Sequence, residues 1–185
     1  MYSTSDFRNG LKVLYEGDPY TIIEFQHVKP GKGNAFTRTK IKNLISGRVL
    51  EPTFKSGEKL GRPDVDEKEM QYLYKDGEHF TFMDTSTYDQ VLIEAAAIGS
   101  QAGYLQESCN CQVLFWNGRP INVSLPNFVV LPIAQCEPGI RGDTATGATK
   151  PATLSPGAVV QVPLFINEGD SIRVDTRTGT YMERA

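Results

Sequence analysis

One lysine, Lys32, stands between two glycines in the run Pro30-Gly31-Lys32-Gly33. Residues of these types can cradle a phosphate on backbone N–H groups, or they can present one long cation on a tight turn. A phosphate loop of the Walker kind needs four residues between its glycines and a Ser or Thr after the lysine. Neither is present, so nucleotide hydrolysis is not expected. Pro30 holds one backbone torsion, and the glycines on either side of Lys32 can take positive φ. The prediction is a tight turn that pushes Lys32 outward with no bulky neighbour, able to enter a narrow RNA-lined space. An ordinary solvent-exposed hairpin lysine would have the same local sequence.

Other reactive side chains form no recognisable constellation. There is no G-x-S-x-G, and the two histidines, His27 and His79, sit in no nucleophile arrangement. The chain is therefore not expected to be an enzyme. Three cysteines, Cys109, Cys111 and Cys136, are an odd number and do not suggest a disulfide framework. On a strand Cys109 and Cys111 would share a face, and small reduced core residues are the expectation for all three. A zinc site needs four ligands, no C-x-x-C pair exists, and two histidines cannot complete one. No metal and no dissociable cofactor are expected.

Net charge is −3, but it is unevenly distributed. Residues 1–64 hold 11 Lys and Arg against 7 Asp and Glu, residues 65–128 hold 3 against 9, and residues 129–185 hold 5 against 6. From Phe25 to Leu50 there is no acid, while Lys29, Lys32, Arg38, Lys40, Lys42 and Arg48 are all basic. Such a patch can bind phosphate whatever the global charge. Arg38, Lys40 and Lys42 share one parity and would line one face of a strand leading away from the Lys32 loop. From charge, Lys29, Arg38, Lys40 and Lys42 are inferred to meet RNA phosphates. A second loop, Pro138 to Gly147, is rich in small residues whose backbone N–H groups and short side chains can approach bases or phosphates closely. Phe80, Phe82, Phe115 and Trp116 could stack on bases, although their alternating context favours core packing for most of them.

The elements that must position these residues read as strands. Short runs of Val, Ile, Leu, Tyr and Phe are punctuated by Gly, Pro, Asp and Asn. Hairpins are expected through Glu16-Gly17-Asp18-Pro19, through the Lys32 loop, through Asp76-Gly77 and through Asn117-Gly118. Only Ala95–Ile98 and Ala102–Gln106 read as helical, and Gly99 and Gly103 keep them short. Strands this short, without long helices, point to an all-β chain of three small barrels in a row, divided as 1–64, 65–128 and 129–185. No apolar run is long enough to cross a bilayer, and the first residues lack the pattern of a secretory signal, so a cytosolic location without a membrane partner is expected.

Val28-Lys29-Pro30-Gly31-Lys32-Gly33-Asn34-Ala35-Phe36 resembles the tip loop of the bacterial elongation factor P family. Thr53–Ser56, Tyr72–Tyr74, Leu114–Gly118, Pro126–Val129, Pro138–Thr144, Lys150–Leu154, Gly157–Val160 and Val174–Arg177 follow in that family's order. The resemblance covers essentially the whole chain. It implies an SH3-like, KOW-type first domain and two OB-folds, in an elongated shape similar to tRNA. It implies a monomer that binds the 70S ribosome between the P and E sites, beside the peptidyl-tRNA. There it would relieve stalling at consecutive prolines by holding the tRNA in place, without supplying an acid, base or nucleophile. By the same resemblance Lys32 is the position that receives a post-translational extension, with Pro30, Gly31 and Gly33 forming the turn that presents it. A β-lysyl group added by a lysyl-tRNA-synthetase-like enzyme is the first expectation, and other lysine modifications, hydroxylation among them, occur in the family. Gly142, Asp143 and Thr144 match the loop that faces the mRNA codon in the E site, and Tyr181 and Arg184 match functional C-terminal positions. Alternatives are the elongation factor P-like paralogue, whose tip departs from Pro-Gly-Lys-Gly, and a general single-stranded RNA-binding OB-fold protein. Initiation factor 5A lacks the third domain that residues 129–185 supply here.

Overall fold

The computed structural model describes residues 1–138 and 148–185 and is built almost entirely from antiparallel strands. Three five-stranded barrel-like sheets follow one another along the sequence. The first orders its strands Lys12–Tyr15, Asp18–Val28, Phe36–Asn43 and Val49–Leu50, with Thr53–Lys55 also paired to Phe36–Asn43. In the second the order is Gln90–Glu94, His79–Asp84, Val65–Asp76, Asn110–Trp116 and Arg119–Ser124. In the third it is Val159–Pro163, Thr149–Leu154, Phe128–Cys136, Ser171–Asp175 and Thr180–Arg184. Among the described residues the helical segments are one turn at Ala95–Ile98 and 3-10 segments at Thr4–Asp6 and Gly99–Tyr104, so the helix expected at Ala102–Gln106 begins earlier and ends at Tyr104. Among the described residues no helix is long and apolar enough to cross a membrane.

Each sheet has one long strand, and each of these carries a bulge. Ile23 stands unmatched between the pairs Ile22–Ile41 and Glu24–Lys40. Leu73 is extra between Tyr72–Phe82 and Tyr74–Thr81, and Ala134 between Ile133–Leu154 and Gln135–Thr153. A bulge bends its strand and increases its twist, which is what a small sheet needs to curl round its own core.

The described residues gather into two compact units, Met1–Glu67 with Leu114–Asn122, and Lys68–Val113 with Val123–Ala185. In the first, Phe7, Val13, Tyr20, Ile22, Ile41 and Phe54 form the core. Phe54 meets both Phe7 and Tyr15 edge-on with ring centroids 5.8 Å apart. Tyr2 and Ser3 pair with Leu60 and Lys59, and Thr4 Oγ1 accepts a hydrogen bond from Gly57 N, tying the start of the chain to the 56–60 segment. In the second unit, Met70, Tyr72, Phe82, Ile93 and Val113 are buried beneath one sheet, and Leu131, Ile133, Leu154, Val162 and Ile172 beneath the other. Phe80, Phe82 and Phe115 are buried, as their alternation suggests, whereas Trp116 is half-exposed with the Arg119 guanidinium 5.8 Å from its ring.

The turns follow local chemistry, with two corrections. Asp76 pairs with His79, so the loop expected at Asp76-Gly77 is Gly77-Glu78, with Gly77 at φ of 62°. At Asn117-Gly118 both φ values are positive, 51° and 78°, the two-residue turn that suits a right-twisted hairpin. Glu16 and Gly17 make the same kind of turn at 51° and 86°, and Tyr15 pairs directly with Asp18. Asp18 and Pro19 therefore belong to the strand and not to the turn. A two-residue loop closes this hairpin without them.

Candidate functional site

Strands Asp18–Val28 and Phe36–Asn43 run as a ladder that ends at the pair Val28–Phe36, leaving Lys29–Ala35 as a loop beyond the sheet. The ladder is reinforced where it ends. His27 Nδ1 and Thr37 Oγ1 are 2.8 Å apart across the pair, and Ser56 N donates to the Ala35 carbonyl at 3.1 Å. Phe25 packs edge-on against His27 at 5.4 Å. The loop thus stands on a tied base.

Gly31, Lys32, Gly33 and Asn34 are all exposed, with Pro30 and Ala35 partly covered. Among the described residues none pairs with the Lys32 ammonium. The two glycines have different roles. Gly33 has φ of +100°, while Gly31 lies outside the positive-φ region, and a Cβ at either position would meet nothing within 4 Å. Only the second glycine is required by the backbone. Gly33→Ala is expected to lose about 1 kcal/mol of stability from backbone strain, and Gly31→Ala to stay within about 0.5 kcal/mol of the parent. Urea unfolding of both variants checks this. Equal behaviour of the two would show that the turn does not depend on Gly33.

A groove of about 540 Å³ lies at the root of the loop, lined by His27, Val28, Lys29, Phe36 and Thr37 and by Thr4 and Ser5 from the first residues. The adjoining outer face of Phe36–Asn43 carries the basic side chains. Arg38 and Lys42 are exposed, with Thr39 and Ile41 buried between them and Thr37 buried before them, so the expected shared face exists. Arg38 lies over Phe36, its guanidinium carbon 5.5 Å from the ring centroid.

Lys40 is held differently. Its ammonium is 3.6 Å from Glu24 Oε2 and 3.6 Å from Glu51 Oε1. These two acids flank the acid-free stretch Phe25–Leu50, and the sheet brings both back onto its central lysine. The bulge at Ile23 sets Glu24 directly opposite Lys40. On the other side, Ile41 pairs with Leu50 and Arg38 with Thr53, which leaves Glu51 beside Lys40. Glu24, Lys40, Glu51 and Arg38 line an open groove of about 670 Å³. The basic face therefore offers exposed charge at Arg38, Lys42 and Lys29, and in the middle a lysine outnumbered by two carboxylates. Sequence reasoning missed both carboxylates, because no signal within the stretch itself points to them.

In the third sheet the register pairs Tyr181 with Val174 and Arg184 with Ile172, a bulge at Met182 placing both on the same side although they are three residues apart. Tyr181 is half-buried and packs on the core there, while Arg184 is exposed with its guanidinium 5.9 Å from the Phe165 ring. Gly142, Asp143 and Thr144 lie outside the described residues. Just before and after that stretch, Lys150 is buried and its ammonium donates to the Glu137 carbonyl at 2.6 Å. Asp175, the last residue of strand Ser171–Asp175 in the same sheet, accepts from Arg177 Nε at 3.1 Å and Nη2 at 2.9 Å, and the guanidinium holds its carboxyl below the usual carboxylate range. Among the described residues no group of three or more His, Cys, Asp or Glu could hold a metal ion.

Three family models match the chain in succession. "Elongation factor P (EF-P) KOW-like domain" matches residues 3–60, "Elongation factor P (EF-P) OB domain" residues 65–123, and "Elongation factor P, C-terminal" residues 129–184. An elongation factor P of Desulfitobacterium hafniense is 56% identical over 185 residues, and that of Pelotomaculum thermopropionicum is 55% identical over 184, each covered along its whole length. Among solved structures, eukaryotic translation initiation factor 5A from Methanococcus jannaschii is similar in fold. The TM-score is 0.57 at 21% identity, covering 67% of this chain and 91% of that one.

Proposed function

Because the chain belongs to the elongation factor P family, a family of translation factors that are not enzymes, we propose that it acts on the ribosome by positioning peptidyl-tRNA. In this reading it occupies the space between the P and E sites of the 70S ribosome in the cytosol and speeds peptide-bond formation where consecutive prolines stall it. The observation that carries the proposal is the loop Lys29–Ala35: its tip holds one exposed lysine, Lys32, unpaired among the described residues, at the end of a hairpin whose base is tied on both strands. A single cation on a narrow support can reach a confined, phosphate-rich centre. Proline is a rigid partner in peptide-bond formation, so holding the other substrate in line removes part of the orientational barrier.

Lys32 is the position proposed to carry a covalent β-lysyl extension, added by a lysyl-tRNA-synthetase-like enzyme, with Pro30, Gly31 and Gly33 presenting it. Gly142, Asp143 and Thr144 are proposed to face the mRNA codon in the E site, and Tyr181 and Arg184 to serve the C-terminal contact. Lys29, Arg38 and Lys42 are proposed to meet tRNA phosphates.

Lys40 is assigned a smaller share of that electrostatic work, because two carboxylates, Glu24 and Glu51, already face its single charge. Arg38→Ala and Lys42→Ala are each expected to reduce the dependence of log affinity on log salt by about 1. Lys40→Ala should change it far less, since removing the cation frees two carboxylates that repel the same phosphates. Binding of tRNA or ribosomes titrated across salt concentrations measures all three. An equal slope change for Lys40→Ala would mean that the lysine leaves its two acids for the phosphate.

The deciding experiment is reconstituted translation of a reporter with a Pro-Pro-Pro run against a proline-free control, using natively purified protein. Faster elongation through the prolines alone supports the proposal. No effect from protein confirmed by mass to be modified at Lys32 overturns it in favour of general single-stranded RNA binding.

A further inference from the structure

Cys109 and Cys111 lie where the chain enters strand Asn110–Trp116. Cys111 points into the core and is 1% exposed, while Cys109, just before the strand, is partly open to solvent. Their sulfurs are 3.9 Å apart. The approach is fixed by the backbone around it. Tyr72 N donates to the Cys109 carbonyl at 2.9 Å, Ser108 N donates to the Tyr72 carbonyl at 2.8 Å, and Ser108 turns the chain at φ of +69°.

We propose that Cys109 and Cys111 form a reversible oxidation site for peroxides, with Cys109 the attacking thiol and Cys111 the resolving one. The Cys109 thiolate attacks one peroxide oxygen. The O–O bond breaks, an S–O bond forms, and the departing oxygen takes up a proton as water or an alcohol. The sulfur of Cys111 then attacks the Cys109 sulfenic acid. An S–S bond forms, the S–O bond breaks, and the hydroxyl leaves as water with the Cys111 proton. Two thiols are oxidised by two electrons, and one peroxide is reduced by two.

The pair is chemically unequal in the direction this needs. The Cys111 thiol donates toward the Cys109 sulfur, which holds Cys109 below the ordinary thiol range. The same hydrogen bond, together with burial, pushes Cys111 up. The more accessible sulfur is thus the readier thiolate, and thiolate character with exposure governs oxidation. The buried thiol waits within reach, protected from direct attack.

Two residues of extended chain span about 6.6 Å, near the upper end of about 6.8 Å for Cα atoms joined by a disulfide. The sulfurs must also close by about 1.9 Å to bond. A partly exposed disulfide is open to reduction by thiols. Metal capture is the poorer use of the pair, because among the described residues no third ligand joins it. Cys136, its sulfur directed at the Ile166 carbonyl 3.8 Å away, serves as the internal comparison.

The test treats the folded full-length protein with hydrogen peroxide, quenches it with an alkylating agent and reads intact and peptide masses. The parent is expected to lose two hydrogens, with Cys109 and Cys111 joined in one peptide and Cys136 still alkylated. Dithiothreitol should restore both thiols. Cys111→Ala should stop with one added oxygen on Cys109, captured by dimedone and formed more slowly because the hydrogen bond that favours its thiolate is gone, and Cys109→Ser should leave Cys111 reduced. The proposal fails if both thiols stay alkylatable, if Cys136 oxidises before Cys109, or if the disulfide joins two chains. These masses do not depend on ribosome binding, so this result and that of the translation assay are read separately.

Discussion

Lys32→Ala is expected to slow elongation through consecutive prolines by about 100-fold relative to the unsubstituted factor, the scale of losing an orienting contact, with elongation elsewhere unchanged. The side chain is exposed and, among the described residues, has no partner, so its removal opens no cavity and breaks no hydrogen bond. Stability should shift by no more than about 0.5 kcal/mol. The strands beneath the loop keep their ties at His27–Thr37 and Ala35–Ser56. Two measurements on one preparation, proline-reporter translation and urea unfolding, separate the outcomes. Full activity in the variant would remove Lys32 from the mechanism. A large fall in stability would make the loop a structural element and leave its functional role without support.

The second large effect concerns Gly103, in the short 3-10 segment between two strands of the second sheet. A Cβ there would lie 2.9 Å from Ala158 Cβ and 3.1 Å from Ala158 Cα, the second of these being backbone. Ala158 N also donates to the Gly103 carbonyl at 3.1 Å, and Tyr104 packs on the core of the third sheet. Nearby, Thr176 Oγ1 donates to the Pro126 carbonyl at 2.6 Å and Thr176 N to the Asn127 carbonyl at 2.9 Å, anchoring the link into the third sheet. This seam is close-packed backbone with no room for a side chain. Gly103→Val is expected to cost about 1 to 3 kcal/mol by overpacking and to expose Tyr104. Ala158→Gly in the same chain removes the nearest contact and should recover part of the loss, with a coupling of at least about 0.5 kcal/mol. Independent, additive effects of the two substitutions would place the clash elsewhere.

Much of this protein was legible in local sequence. The two-residue turn at Asn117-Gly118, the end of the helical turn Ala95–Ile98 at Gly99, the outward lysine and the shared face of Arg38 and Lys42 all follow from one or two residues or from strand alternation. Those features depend on the φ preferences of neighbouring residues and on side chains that alternate from face to face, both of which are set within a few positions. The ordered family motifs extended that reading to the whole chain, since their succession is itself a property of sequence.

What only the tertiary structure decided depends on pairings between distant segments. Unbulged alternation would set Ile23 opposite Lys40. The extra residue shifts the register, so Glu24 meets it instead. Glu51 joins from the link between strands Val49–Leu50 and Thr53–Lys55, and a stretch that looks uniformly cationic has two carboxylates on its central lysine. Register is chosen by the burial of a whole face, Ile22 and Ile41 on one side and exposed charges on the other, and that balance is summed over strands no local window contains. The same holds for Cys109 and Cys111. Alternation placed them on one face, but their different exposure, and so the unequal chemistry of the two sulfurs, comes from the turn at Ser108 and the strand that carries Tyr72.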